Sequence, residues 1–302
     1  MSEQAVLFDV PGPRARRTYR LVGALAVVAL LALVGLIIRG LANPADNQLT
    51  AEKWAPFLDP VSWTAYLLPG LANTLKAAAI AVVLSLVLGL LLGMGRLSGV
   101  GILRALCGAF VEFFRSVPVL VMMIFAYYFG VFVLGIVGDG ASLFGVVTGL
   151  TLYNSSVIAE LIRSGVFSLP KGQREAGLAL GLTHGQTMRT ILLPQAVTAM
   201  LPSLLSQLVV ILKDTALGYI ISYSELIRGG QNLATNYGNL IPTFLVLAAM
   251  FIAINYTLTA VARLVERRLQ RSAKGGPPLG AALTPAAPGA PAAPVAVGTS
   301  EV

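Results

Sequence analysis

Residues 21–38 read LVGALAVVALLALVGLII, a run without one polar side chain. Each helical residue rises about 1.5 Å, so about 20 apolar residues cross about 30 Å of hydrocarbon. Further runs of this kind lie at residues 66–94, 117–137, 141–162, 197–222 and 241–264. Only 11% of the 302 residues are charged, against about 25% in soluble domains. So few charges cannot cover a globule of this size, and the composition asks for lipid as solvent. The expected fold is all-α and polytopic, with six spans.

Six spans put both termini on one side, and the charges indicate which. In a soluble chain the net charge of +8 would suggest nucleic acid. In a membrane chain it reads as topology, because Lys and Arg collect on the cytoplasmic side. With the N-terminus inside, the inner segments hold Arg14, Arg16, Arg17 and Arg20, then Arg96, Arg104 and Arg115. They also hold Arg163, Lys171, Arg174 and Arg189, and finally Arg263, Arg267, Arg268, Arg271 and Lys274. These are sixteen of the 21 basic residues. The outer segments hold Arg39, Lys53 and Arg228; Lys76 and Lys213 lie within spans. The expectation is N-in and C-in. Residues 1–19 form a basic inner terminus, 20–39 an uncleaved first span, and 40–65 an outer segment with Trp54 and Trp63 as interfacial anchors. Residues 272–302, rich in Ala, Pro and Gly, are expected to be a disordered tail.

One long inner segment, residues 163–194, is helical by pattern but too polar to cross lipid. Ser168 can cap a helix with Pro170 in its opening turn, running to about Leu180 and ending at Gly181. Thr183 and Gln186 then match a capping box. A second short helix should reach Ile191-Leu192-Leu193-Pro194.

The same segment reads Glu175-Ala176-Gly177, three residues, Gly181, nine residues, then Ile191-Leu192-Leu193-Pro194. This resembles the EAA loop of bacterial ABC importer permeases, with Gly177 standing where the pattern has Ala. Gly70–Leu75, the Gly-rich stretch before Arg96, Phe113–Pro118, Tyr153–Gly165, Leu169–Gln173 and Lys213-Asp214-Thr215 look like the polar amino acid permeases of the histidine and glutamine type. The likeness covers residues 66–271. It implies a five-helix permease core, here preceded by one extra transmembrane helix, in a bacterial cytoplasmic membrane. It further implies that Glu175, Ala176, Gly177, Gly181, Ile191, Leu193 and Pro194 couple the chain to separate ABC ATPase subunits. Those subunits would use ATP, and this chain would bind no cofactor and catalyse no reaction. The other implied partners are an extracellular or lipid-anchored substrate-binding protein and a second permease subunit, identical or not. The substrate class implied is a polar amino acid, glutamate or glutamine ahead of a basic amino acid or cystine. The extra span and the Pro/Ala tail look like the glutamate-type permeases of actinobacteria.

No G-x-x-x-x-G-K-[ST] run is present, so the chain carries no phosphate loop of its own. Ionisable groups in hydrocarbon are costly and point to function. Lys213 and Asp214 are adjacent, so their side chains diverge by about 100° and no single lipid-facing stripe hides both. They and Thr215 either line the translocation route or lock two helices. Asn154 and Ser155 offer donors and acceptors for a zwitterion, or let helices pack closely. Glu160 should pair with Arg163 one turn on, unless it meets the substrate ammonium. Ser116 is expected to cap the third span, with Pro118 in its first turn. Gly229-Gly230-Gln231-Asn232 reads as turns. A single Cys and a single His exclude a disulfide and a His-pair metal site, and they argue against a membrane enzyme. A secondary transporter would show repeated halves, and none is visible.

Overall fold

The computed structural model describes residues 12–43 and 48–273, and every regular element among them is a helix. Helix α1 (Pro13–Leu41) opens on Pro13 and takes in the four arginines, starting before the expected residue 20; none of its residues is buried. The short α2 (Ala51–Trp54) and a 3₁₀ turn (Ala55–Leu58) follow. A π-turn (Ser62–Leu67) then leads straight into α3 (Leu68–Arg96). The remaining helices are α4 (Gly101–Ser116), α5 (Val119–Phe132), α6 (Asp139–Phe167), α7 (Lys171–Ala179), α8 (His184–Thr187), α9 (Leu193–Asp214), α10 (Leu226–Tyr237) and α11 (Leu240–Ala273). The expected tail falls outside the described residues, apart from the last two residues of α11.

Five helical stretches are long and apolar enough to cross a membrane: Pro13–Leu41, Ser62–Arg96, Asp139–Phe167, His184–Ile221 and Leu240–Glu266. The expected third span, residues 117–137, has a different form. Helices α4 and α5 are bent by 103° at a short break. Val117 precedes a proline and is held extended, at φ −90° and ψ 130°, as the proline ring requires. Ser116 therefore ends α4, its hydroxyl donating to the Glu112 carbonyl. Pro118 takes the N-cap position of α5, so the expected serine cap is not made.

Helix α6 is the centre of the bundle and packs on α3, α4, α5 and α9. Lipid tails are as apolar as leucine, so membrane helices associate through close fit rather than water exclusion. Small residues supply that fit. The buried face of α3 runs Gly70, Thr74, Ala77, Ala78, Ala81, Ser85, Gly89 and Gly93. A Cβ on Gly89 would lie 2.8 Å from Ile158 Cβ and 2.9 Å from the Ser155 carbonyl. On the other side of α6, a Cβ on Gly149 would lie 2.8 Å from the Met123 backbone nitrogen. Around these contacts Met123, Val146, Leu150, Ile211 and Tyr223 close the core.

One end of the bundle is closed by a seam between α3 and the segment 223–229. Tyr223 donates to the Asn73 carbonyl at 2.8 Å, and Asn73 donates to the Ser224 carbonyl at 2.9 Å. The Leu226 N–H donates to Thr74 Oγ1 at 3.1 Å. Residues 229–232, read as turns, are instead helical in α10. Gly229 and Gly230 give clearance: a Cβ on Gly229 would stand 2.5 Å from the Tyr66 carbonyl, and one on Gly230 would collide with Leu247. The turn comes after them, at Gly238, whose φ is +59°. Tertiary packing overrides the weak helix propensity of glycine.

Glu225 caps α10, accepting from the N–H groups of Ile227 at 2.8 Å and Arg228 at 2.7 Å. Its side chain is wholly buried. Burial pushes its carboxyl from an ordinary 4.5 up to about 7, against the pull of the two N–H groups. A raised carboxyl favours the folded seam most when protonated. Its contribution is therefore full below about pH 4.5 and is lost as pH rises through about 7. Hydrogen-exchange protection of the α10 amides, corrected for intrinsic exchange, is expected to fall across that window. Glu225→Gln should flatten the dependence; an unchanged slope in Glu225→Gln would refute this assignment.

Candidate functional site

Residues 168–194 form a helical hairpin at the end of α6. Helix α7 starts after Pro170; Ser168 does not cap it but donates to the Gly165 carbonyl. The chain reverses at Gly181, whose φ is +78°. The Gly181 N–H donates to the Leu178 carbonyl and the Leu182 N–H to the Gly177 carbonyl, the paired bonds of a Schellman stop. The capping box is present as read. Thr183 N–H donates to Gln186 Oε1 at 2.8 Å, and Gln186 N–H donates to Thr183 Oγ1 at 3.3 Å.

From α8 the helix does not stop at Pro194. A π-turn (Met188–Leu192) carries it into α9 with Pro194 in the first turn. Pro69 follows the other π-turn in the same way. Proline lacks an N–H and its ring crowds the carbonyl four residues back; a widened turn before it removes both conflicts. Hairpin and span are thus one continuous rod. Met188 and Leu192 bury against Val166 and Ala196, with Ile191 at the margin, and Leu193 packs near Ile162 and Leu204. Glu175 and Ala176 point outward and are exposed. Leu178 and Leu180 beside them are 47% and 79% exposed. The hairpin thus presents a carboxylate among uncovered leucines.

At the root of the hairpin lies an ionic cluster that sequence spacing did not reveal. Glu160 Oε2 lies 2.5 Å from Arg96 Nη1, and Glu160 Oε1 lies 2.6 Å from Arg163 Nη2. Arg96 also reaches Glu112 at 2.9 Å, and Arg115 stands 3.6 Å from Glu160. The expected Glu160–Arg163 pair is therefore one edge of a network joining α3, α4 and α6. Both Glu160 oxygens already carry guanidinium partners. The network's members lie far apart in the chain, and nothing in the spacing around Glu112 points to Arg96.

The polar residues of α6 and α9 divide between packing and grooves. Asn154 is buried, donates to the Leu150 carbonyl at 2.8 Å and accepts from Gln207 Nε2 at 2.6 Å. Ser155 is buried and donates to the Leu152 carbonyl. Lys213 and Asp214 diverge. Asp214 lines a groove of about 370 Å³ with Arg115, Ser116, Tyr153 and Gln207. Lys213 lines another, of about 600 Å³, with Asn255, Tyr256 and Arg263. Thr215 is buried, and its hydroxyl donates to the Leu212 carbonyl at 2.6 Å where α9 tightens into a 3₁₀ turn (Thr215–Ile221). Among the described residues no cluster of three His, Cys, Asp or Glu could hold a metal ion.

Residues 58–271 match the family described as binding-protein-dependent transport system inner membrane component. The chain is 49% identical over 225 residues to the glutamate transport system permease protein GluD of Corynebacterium glutamicum, covering 74% of this chain and 82% of that protein. It is 37% identical over 207 residues to the probable glutamine ABC transporter permease protein GlnP of Bacillus subtilis, covering 68% and 94%. The solved structure titled as an amino acid ABC transporter with histidines superposes with a TM-score of 0.63 at 28% identity, covering 70% of this chain and 98% of that one.

Gly177 faces into the hairpin. A Cβ there would lie 2.7 Å from Thr187 Cγ2 and 3.0 Å from its Oγ1. Rotating the threonine leaves at least one of those atoms in the way. Alanine gains up to about 1 kcal/mol of helix propensity, but overpacking costs about 1–3 kcal/mol. Gly177→Ala is therefore expected to lower the melting temperature and speed proteolysis within the hairpin. Adding Thr187→Ala should restore both; a Gly177→Ala single variant as stable as the parent would show that the clash is relieved elsewhere.

Proposed function

The chain belongs to the family of binding-protein-dependent transport system inner membrane components, and from that premise we propose how it works as a permease subunit of a polar amino acid importer. The substrate is glutamate or glutamine ahead of a basic amino acid or cystine, because similar permeases carry those names. A separate ABC ATPase pair hydrolyses ATP, a binding protein delivers the amino acid, and a second permease subunit completes the path. Both termini lie in the cytoplasm, a reading supported by the basic residues that gather on one side of the spans.

The observation that carries the mechanism is the unbroken rod from the hairpin into α9. Glu175 and Ala176, flanked by bare leucines, dock on the ATPase. Gly177 seals α7 against Thr187, and Gly181 lets the hairpin project. Ile191, Leu193 and Pro194 root it in the span. A push on α7 therefore moves α9 as a lever rather than bending a loop. The moving end of α9 carries Asp214 and leads into Thr215, so the motion reshapes the groove that Asp214 lines. We assign that groove to the substrate route: Asp214 and Gln207 offer groups suited to a zwitterion, and Asn154 positions Gln207. Ser155 allows close packing beside it. Glu160 holds the arginine network at the inner end, with Arg115 shared between network and groove. Lys213, on the opposite face, is reserved for the neighbouring subunit or the lipid.

Glu175→Lys tests the coupling. In proteoliposomes holding the whole transporter, ATP-driven uptake of labelled glutamate or glutamine is expected to fall by about tenfold or more, the equivalent of about 1.4 kcal/mol. Membrane insertion should be unchanged. Uptake at the parental rate would remove the coupling role, and competition by unlabelled amino acids in the same assay identifies the substrate.

A further inference from the structure

Behind the hairpin, between the α3–α4 turn, the end of α6 and α7, lies a cavity of about 440 Å³. Arg96, Arg104, Lys171, Arg174 and His184 line it, and no carboxylate does. Arg96 is neutralised by Glu160 and Glu112. Arg104, Lys171 and Arg174 form no ion pair among the described residues. Helix α7 starts on the cavity wall with neither a side-chain cap nor an acidic residue in its first turn. Its free N–H groups add to the positive potential. Like charges gathered without a counter-ion repel, and the repulsion is relieved when an anion enters. Phe167, Met188 and Leu192 supply an apolar side to the same cavity.

We propose that this cavity binds a phosphate group, held by Arg104, Lys171 and Arg174, and that its occupant is the headgroup of an anionic phospholipid. Free phosphate offers the same oxygens, but the apolar wall and the position at the end of two spans suit an amphiphile. The bound lipid braces the hairpin against α3, α4 and α6, and so stiffens the base of the lever. The leaflet supplying the lipid rests on the orientation proposed above; the anion site does not.

The test uses the full chain purified with its partner subunits. Native mass spectrometry measures retention of phosphatidylglycerol against phosphatidylcholine, and binding of inorganic phosphate to delipidated protein. The parent should retain phosphatidylglycerol preferentially. Arg104→Gln with Lys171→Gln should cut that retention roughly tenfold or more, while Arg104→Lys with Lys171→Arg keeps it. Should delipidated parent bind inorganic phosphate and the glutamine variant not, the anion site stands with a soluble source. A parent without preference for either lipid and without phosphate binding overturns the proposal. So does a glutamine variant that keeps its lipid but sheds the ATPase, since the cations would then face the motor. Transport is no part of these readouts, so their failure leaves the permease reading untouched.

Discussion

Close approach of α3 and α6 is the constraint on which the bundle depends. In water, burial alone would drive these helices together. In lipid they need surfaces that fit, and the fit is made by glycine, alanine and serine at four-residue intervals along α3. The consequences reach both ends. At the start of α3, the absence of a Cβ on Gly70 lets the chain around Glu225 lie directly on the helix. At its far end, closeness brings Arg96 within reach of Glu160. Bulk anywhere along this line would separate the seam from the ionic cluster.

The coupling role proposed above asks for a hairpin that is stiff where force is passed on and free where it is received. Its outer face is exposed at Glu175 and Ala176, while its inner face is closed by Gly177, Met188 and Leu192. Widened turns ahead of Pro69 and Pro194 keep two helices continuous through residues that usually end them. Likeness at the level of 28% identity and a TM-score of 0.63 shows that the overall fold is shared with a solved amino acid transporter.

Much of this was legible in the sequence because its signals are local. Apolar runs located the long spans, and the spacing from Glu175 to Pro194 located the hairpin. Thr183 and Gln186 spell their capping box at three-residue spacing. The rest depends on distant neighbours. Helix α10 was hidden because Gly229 and Gly230 look like turn residues until Tyr66 and Leu247 are seen beside them. Helix α4 was hidden because its charges mark a segment between spans, although two of them, Glu112 and Arg115, join the network around Glu160. Spacing paired Glu160 with Arg163 and could not add Arg96, 64 residues away. Likewise the sequence shows Gly177 where the pattern has Ala but not the Thr187 side chain packed against it.

Helix α5 has 14 residues, which gives a length of about 21 Å. That falls short of a hydrocarbon layer of about 30 Å. Such a mismatch is met by thinning of the bilayer or by drawing headgroups inward. Alternatively, neighbouring subunits shield one end and admit water there. The sharp corner between α4 and α5 therefore shapes the solvent as well as the protein. A bilayer that meets α5 along its axis must thin there unless a neighbouring chain covers the ends of the helix.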